Sequence, residues 1–538
     1  MALWTLTDKT ILIVDDFAEM RSLMRSMVAA FGARHIEVAA NGEDAVAALE
    51  SRRFDIILCD YNLGDGKDGQ QVLEEAHHRN LLPCSTTFVL VTAESTSQMV
   101  MGALEHQPDG YIAKPVTKTV LQVRLKKLLA KKDSLGDINK ALDLKQFDRV
   151  IELCDRQLEN QCKYRSELLR IKSDVLIKTG AYDQAGALCE AILAERELPW
   201  AMFDVGRIHF HRQQYPEAAD IFSRVIERSD AFVCAYDWLA RAQELTGDPA
   251  LAQKTLMDAI AKSSKSLLRL RALANVADRN EDLEVTEQAR RKAIRVGKTS
   301  VLREPGDYTG LAKTLIRKDS AKEAMKVIES VKYAFRDDPS AELEAAAVGS
   351  QVYSALGNDK ASEAMLETAI DLASKHPELV SAAAGMDLVQ ACLNHDRKAE
   401  ANEYVRNVVM NNHDNADVLE NITRMYGDIG ELQEINELIG NTQAEIVRIN
   451  NEGVELLKGG KIAESIELFS KAAKGMPRNP IINLNAAQSL ITMMKESHPT
   501  KSALEETLSY IRAAGSNEAH KERQTRLLAS CRELSVCL

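Results

Sequence analysis

Ala185, Ala218 and Ala252 follow one another at intervals of 33 and 34 residues, and Thr286 stands a further 34 beyond. Each closes the same short phrase: Gly180-Ala-Tyr182-Asp-Gln-Ala185, Gln214-Tyr215-Pro-Glu-Ala218, Gly247-Asp-Pro249-Ala-Leu-Ala252 and, more faintly, Asp282-Leu283-Glu-Val-Thr286. Recurrence at this interval prescribes stacked helix pairs, because one pair cannot bury its apolar face until the next covers it. The glycine permits a sharp turn between antiparallel helices, the aromatic starts the second helix, and the small residue lets the two approach closely. Aromatics are only 5% of the 538 residues while Ala and Leu are abundant, which favours helix over strand for most of the length.

The phrase resembles the tetratricopeptide repeat (TPR), and Gly453 to Pro477 matches that family best, with Gly453, Gly460, Phe469, Ala472 and Pro477 at its spacing. Weaker units lie around Leu311 to Val331, Gly349 to Ala369 and Ala383 to Val409, with Thr286 and Ser362 where alanine is expected. Roughly nine to eleven helix pairs fit at ~34 residues each. The expected second domain is an all-α TPR-like superhelical solenoid over 138–538, clearest at 166–262 and 446–479, with helices from about Lys501 capping it.

The first ~130 residues follow a different rhythm. Short apolar runs at Ile11 to Val14, Ile36 to Ala39, Asp55 to Cys59, Thr87 to Val91 and Tyr111 to Ala113 read as strands. Helical patterns begin between them near Ala18, Gly42, Gly69, Ser97 and Thr117. Parallel neighbours need crossovers, which helices supply, so this is an α/β doubly wound five-stranded parallel sheet over residues 1–131. Residues 132–137 form a short or helical linker, since Pro and Ser enrichment is slight there. The lysines 126, 127, 131 and 132 read as the solvated face of a helix end.

In such a sheet the site lies at the carboxyl ends of the strands. Asp15 and Asp16 follow the first strand, Asp60 ends the third, Thr92 ends the fourth and Lys114 follows the fifth. Alone, an Asp pair can be a helix cap and a Lys-Pro pair a turn. Five such positions on one edge point to a site. Three neighbouring carboxylates repel unless a divalent cation neutralises them, and oxygen ligands with room for water suit Mg2+. One carboxylate is then a nucleophile toward phosphorus, with a lysine and a hydroxyl offsetting the transferring group's charge.

This constellation resembles the response-regulator receiver family, a flavodoxin-like fold, over nearly all of residues 8 to 131, and the opening Ile11-Leu-Ile-Val-Asp15-Asp16-Phe17 is similar to its chemotaxis members. The resemblance implies that Asp60 is the phosphoacceptor, that Asp15, Asp16 and Asp60 hold Mg2+ with the backbone carbonyl of Asn62, and that Thr92 and Lys114 sense the phosphoryl group. It makes Tyr111 a switch aromatic that follows Thr92, and Asn62 and Glu94 the residues that tune dephosphorylation. The loop Tyr61-Asn-Leu-Gly-Asp-Gly-Lys-Asp68-Gly69 departs from the family, carrying an extra residue and two glycines where a proline is usual, so a more mobile loop is expected.

The net charge of -12 argues against nucleic acid as a partner, and no stretch offers about 18 uncharged apolar residues for a membrane span. Nine cysteines without a CxxC pair fit a reducing compartment, and the N-terminus shows no signal segment, so a cytoplasmic protein is expected. No DNA-recognition helix, cyclase signature or phosphate-binding loop follows the first domain. The expected function is therefore a bacterial two-component response regulator in a phosphorelay, not an enzyme beyond accepting and hydrolysing its own phosphoryl group. Its expected partners are a histidine kinase or phosphotransfer protein, a protein or peptide in the TPR groove, and a second copy through receiver or repeats. Phosphorylation is expected to change the surface of the fourth and fifth helices and fifth strand. Alternatives are a transcriptional regulator touching DNA through a degenerate repeat, and a phosphate sink localised by the repeats.

Overall fold

The computed structural model describes residues 4–93, 108–160, 163–427, 429–497, 499–515 and 520–535. The five apolar runs form β1 (Thr10–Val14), β2 (His35–Ala39), β3 (Ile56–Asp60), β4 (Thr87–Thr92) and β5 (Gly110–Ala113). All pair in parallel, in the order β2-β1-β3-β4-β5. Between them lie α1 (Ala18–Ala29), α2 (Gly42–Ser51) and α3 (Gly69–His78), and α4 (Lys118–Ser134) follows β5. The helix expected near Ser97 falls outside the described residues.

Alternation along the strands divides the core. Leu12, Val14, Ile57, Cys59 and Leu90 face α2 and α3, while Ile11, Ile13, Ile56, Leu58, Val89 and Val91 face α1 and α4. Both faces are covered, so the central strands are continuous apolar runs. Chain order reverses between β1 and β3, which opens a crevice at their carboxyl ends.

Local chemistry sets the helix starts. Asn41 caps α2 by accepting from the Asp44 amide, and Asp68 and Gln71 form a reciprocal capping box on α3. Residues 132–137 are helical except Leu135, where α4 gives way to a helix at Gly136–Asp143.

Beyond Leu135 every described regular element is helical, with 22 α-helices up to Ser535 in a repeat-like arrangement. The left-handed residue that turns each pair recurs at Lys145, Gly180, Gln213, Gly247 and Glu281, and again at Asp319, Gly357, Asp396, Gly430 and Gly460. The small residues of the repeated phrase, Ala185, Ala218, Ala252 and Thr286, are all fully buried. Where a hydroxyl replaces alanine it finds a carbonyl: Thr286 donates to Asp282 O (2.8 Å), Ser362 to Ser350 O (2.7 Å) and Ser465 to Gly453 O (2.9 Å).

The chain divides into two compact units, Met1–Asp307 and Tyr308–Leu538. In the second, Leu432–Lys458 is one 27-residue helix. Gly453 therefore lies inside it, and the 446–479 repeat begins without a break. No described helix is long and apolar enough to cross a membrane.

Candidate functional site

Three strand ends deliver carboxylates to the crevice. Asp15 and Asp16 leave β1, Asp60 terminates β3, and one ligand atom from each lies within 4.8 Å of the others. Asp15 and Asp60 are buried. The Lys114 ammonium, carried across from the end of β5, donates to Asp15 Oδ2 at 2.9 Å and Asp60 Oδ2 at 2.8 Å. The Lys114–Pro115 bond is cis, and the Lys114 amide donates to Thr92 O at 2.7 Å.

Burial pushes the Asp60 carboxyl above its usual range against the opposing pull of Lys114. For Lys114, burial works against the charged form, but the bonds to Asp60 and Asp15 prevail and hold it above its ordinary value. Asp15 Oδ1 accepts from the Phe17 amide at 2.9 Å, which fixes its second oxygen. Asp16 Oδ1 is different: it is buried without a hydrogen-bond partner among the described residues. A buried, unbonded carboxylate oxygen beside two further carboxylates fits a hard cation with oxygen ligands.

The loop after Asp60 runs beside this crevice. Gly64 and Gly66 adopt left-handed conformations, and a Cβ on Gly64 would lie 3.4 Å from Asp16 Oδ2. The exposed Asn62 turns its side-chain oxygen to the Gly64 amide, 3.3 Å away. Tyr111 is half-buried against the α2/α3 side of the core; its hydroxyl is buried without a partner among the described residues, and burial raises it well above an ordinary phenol.

Residues 11–126 match the response regulator receiver domain. Over 118 residues the chain is 30% identical to the chemotaxis protein CheY of Pseudomonas aeruginosa, an overlap of 22% of this chain and 94% of that one. The chain belongs to the response regulator receiver family. The receiver is also 31% identical over 124 residues to the chemotaxis protein CheY-3 of Vibrio cholerae, covering 22% of this chain and 89% of the relative. A CheY-like receiver structure from Methanospirillum hungatei JF-1 aligns at 29% identity over 23% of this chain and 97% of its own, with a TM-score of 0.22. Receiver domains bind Mg2+ through acidic pockets of this kind and interact with kinases or phosphotransfer proteins.

The receiver thus gathers Asp15, Asp16, Asp60 and Lys114 by direct geometry, with Thr92 and Tyr111 on the adjoining strands. Glu94 lies outside the described residues. Of the lysines read as a solvated face, Lys132 instead pairs with Asp109 (2.8 Å) and Lys131 with Glu167 (3.0 Å). Sequence reasoning missed one residue altogether. Lys265, from a turn between repeat helices, pairs with Asp68 at 2.8 Å and lies 5.1 Å from the Tyr61 ring centroid. At 197 residues from Asp68, it carries no sequence signal that points there.

Proposed function

We propose that in this two-component response regulator Asp60 accepts a phosphoryl group from a histidine kinase or phosphotransfer protein, and that the helical array delivers the output by binding another protein. The observation that carries the reading is the Lys114 ammonium shared by Asp15 and Asp60 beside the unbonded Asp16 oxygen. An Asp60 oxygen attacks phosphorus, and the new O–P bond forms as the bond to the donor histidine nitrogen breaks, its electron pair staying on nitrogen. Lys114 offsets the charge of the transferred oxygens, and the Thr92 hydroxyl donates a hydrogen bond to one of them. Asp15, Asp16, Asp60 and the Asn62 backbone carbonyl would hold Mg2+, which supplies charge neutralisation at the phosphoryl oxygens when bound. Water later attacks phosphorus, releasing inorganic phosphate and restoring the carboxylate at a rate that Asn62 and Glu94 tune.

The output reading rests on the array's TPR-like pattern, since stacked helix pairs present extended surfaces to peptides and partner helices. Tyr111, following Thr92, is the residue we assign to the switch. The protein works in the cytoplasm, where its cysteines stay reduced.

Incubation of the full chain with acetyl phosphate and Mg2+ tests the input. The wild type should gain one hydroxylamine-labile phosphoryl group by intact mass, and Asp60→Ala none; equal labelling of both would refute the assignment. Capture of partners from lysate by both proteins, with and without beryllofluoride, tests the output. Identical partner sets in all four samples would remove phosphorylation control.

A further inference from the structure

The loop from Tyr61 to Asp68 starts directly at Asp60 and passes beside the carboxylates, where a Cβ on Gly64 would lie 3.4 Å from Asp16 Oδ2. Because this loop lies against a carboxylate of the pocket, its position bears on how a phosphoryl donor meets Asp60 in line. Its two ends are drawn together from inside by the Gly69 amide, which donates to Tyr61 O at 2.8 Å. From outside, the same two ends meet a single side chain that does not belong to the receiver. The Lys265 ammonium lies over the Tyr61 ring at one end and pairs with the Asp68 carboxylate at the other.

Lys265 does not act alone. Asp68 and Gln71 are the two halves of the α3 capping box, and the array holds both. Thr299 donates to Gln71 Oε1 at 2.9 Å, and Gln71 Nε2 donates to Val296 O at 3.2 Å. One turn further along α3, the buried Ser300 donates to Glu74 at 2.9 Å. All of these residues lie in one compact unit, Met1–Asp307.

We infer that Lys265, Thr299 and Ser300 form an intramolecular latch on the α3 capping box that restrains the loop beside Asp60, with Lys265 as its positioning residue. The inference rests on the assignment of Asp60 as phosphoacceptor and names how that site is regulated. Because coupling is reciprocal, whatever moves the loop loosens the array's grip, and whatever loosens the grip frees the loop. The latch thus couples receiver and array along the β3–α3 edge, in addition to the fifth-strand surface that carries Tyr111.

Hydrogen exchange on the full chain reads the latch without any phosphoryl donor. Lys265→Ala should speed exchange across residues 61–72, and Lys265→Arg should keep the wild-type rate, since its guanidinium retains both the ion pair and the ring contact. Equal exchange in wild type and Lys265→Ala overturns the latch whatever happens at Asp60. With acetyl phosphate and Mg2+, Lys265→Ala should be labelled roughly threefold to tenfold faster, the range that a half-exposed ion pair and a cation–π contact support. Unchanged labelling of the variant, in a chain whose Asp60→Ala form takes no label, overturns the latch and leaves the phosphoacceptor standing. A wild type that takes no label refutes the phosphoacceptor instead, and exchange alone then decides the latch.

Discussion

Gly69 sits so close to the carbonyl oxygen of Asp60 that a side chain of any size would collide with it. The contact lets α3 start directly behind Asp60, where the Gly69 amide donates to Tyr61 O at 2.8 Å. Gly69→Ala should therefore push α3 away from β3 and destabilise the first unit by about 1–3 kcal/mol, the usual cost of overpacking. Chemical denaturation measures it. A loss below about 0.5 kcal/mol would mean that the loop gives freely and that the close approach is not structural.

The same argument applies between repeat helices. A Cβ on Gly206 would lie 2.5 Å from Phe222 Cε1, and Phe222 is fully buried between Phe203 and Trp238. Gly206→Ala should cost about 1–3 kcal/mol and Phe222→Ala about 3–5 kcal/mol. Phe222→Leu should rescue Gly206→Ala in part, because it removes the ring edge that clashes. Strict additivity in a double-mutant cycle would show that the two positions do not share this contact.

The receiver half was legible because its strands are short apolar runs and five of its site residues sit at run ends, where a parallel sheet places them on one edge. The array was most legible where the repeated phrase closes on a small residue, whether glycine opens it, as at Gly180 and Gly247, or not, as before Ala218 and Thr286. Lys145, Gln213, Glu281, Asp319 and Asp396 take the same left-handed conformation, and a single such residue costs only about 1–2 kcal/mol, so no glycine is required. From Glu281 to Asp396 the turn also recurs every 38 or 39 residues, which blurred the period in the very region where registers were hardest to read. The helix Leu432–Lys458 runs through Gly440 and Asn441 because burial of Ile435, Ile439 and Ile446 outweighs their weak helix preference. Contacts such as Lys265 with Asp68 leave no local trace at all.

Asp16 separates metal binding from the rest of the site. Its unbonded oxygen accepts no hydrogen bond from the described residues, whereas Asp15 and Asp60 are both held by Lys114. Asp16→Asn should weaken Mg2+ binding by about 10- to 100-fold or more, at least the effect of losing a supporting contact to a ligand. Titration calorimetry at constant ionic strength is the measurement. Stability in the absence of Mg2+ should hold or rise slightly, because one of three neighbouring carboxylate charges is removed. Undiminished Mg2+ affinity would take Asp16 out of the ligand set.

His413 gives the second unit a pH dependence whose sign follows from one amide. The buried Asn479 uses its side-chain oxygen to accept from the Ile482 amide at 3.0 Å, which fixes its Nδ2 as the donor to Met410 O at 2.6 Å and to His413 Nδ1 at 3.2 Å. The imidazole must therefore offer a lone pair on Nδ1 and be neutral. Burial lowers its pKa, aided by His520 and opposed by Asp414. With the folded pKa below the unfolded value of about 6.5, the unfolded chain binds the extra proton in between, so stability is full above about pH 6.5 and falls as pH drops toward the folded pKa. His413→Gln keeps an acceptor but cannot titrate, so its denaturation midpoint should fall less steeply than that of the wild type between about pH 7 and pH 5. Parallel profiles would show that His413 is protonated as readily in the folded chain as in the unfolded one.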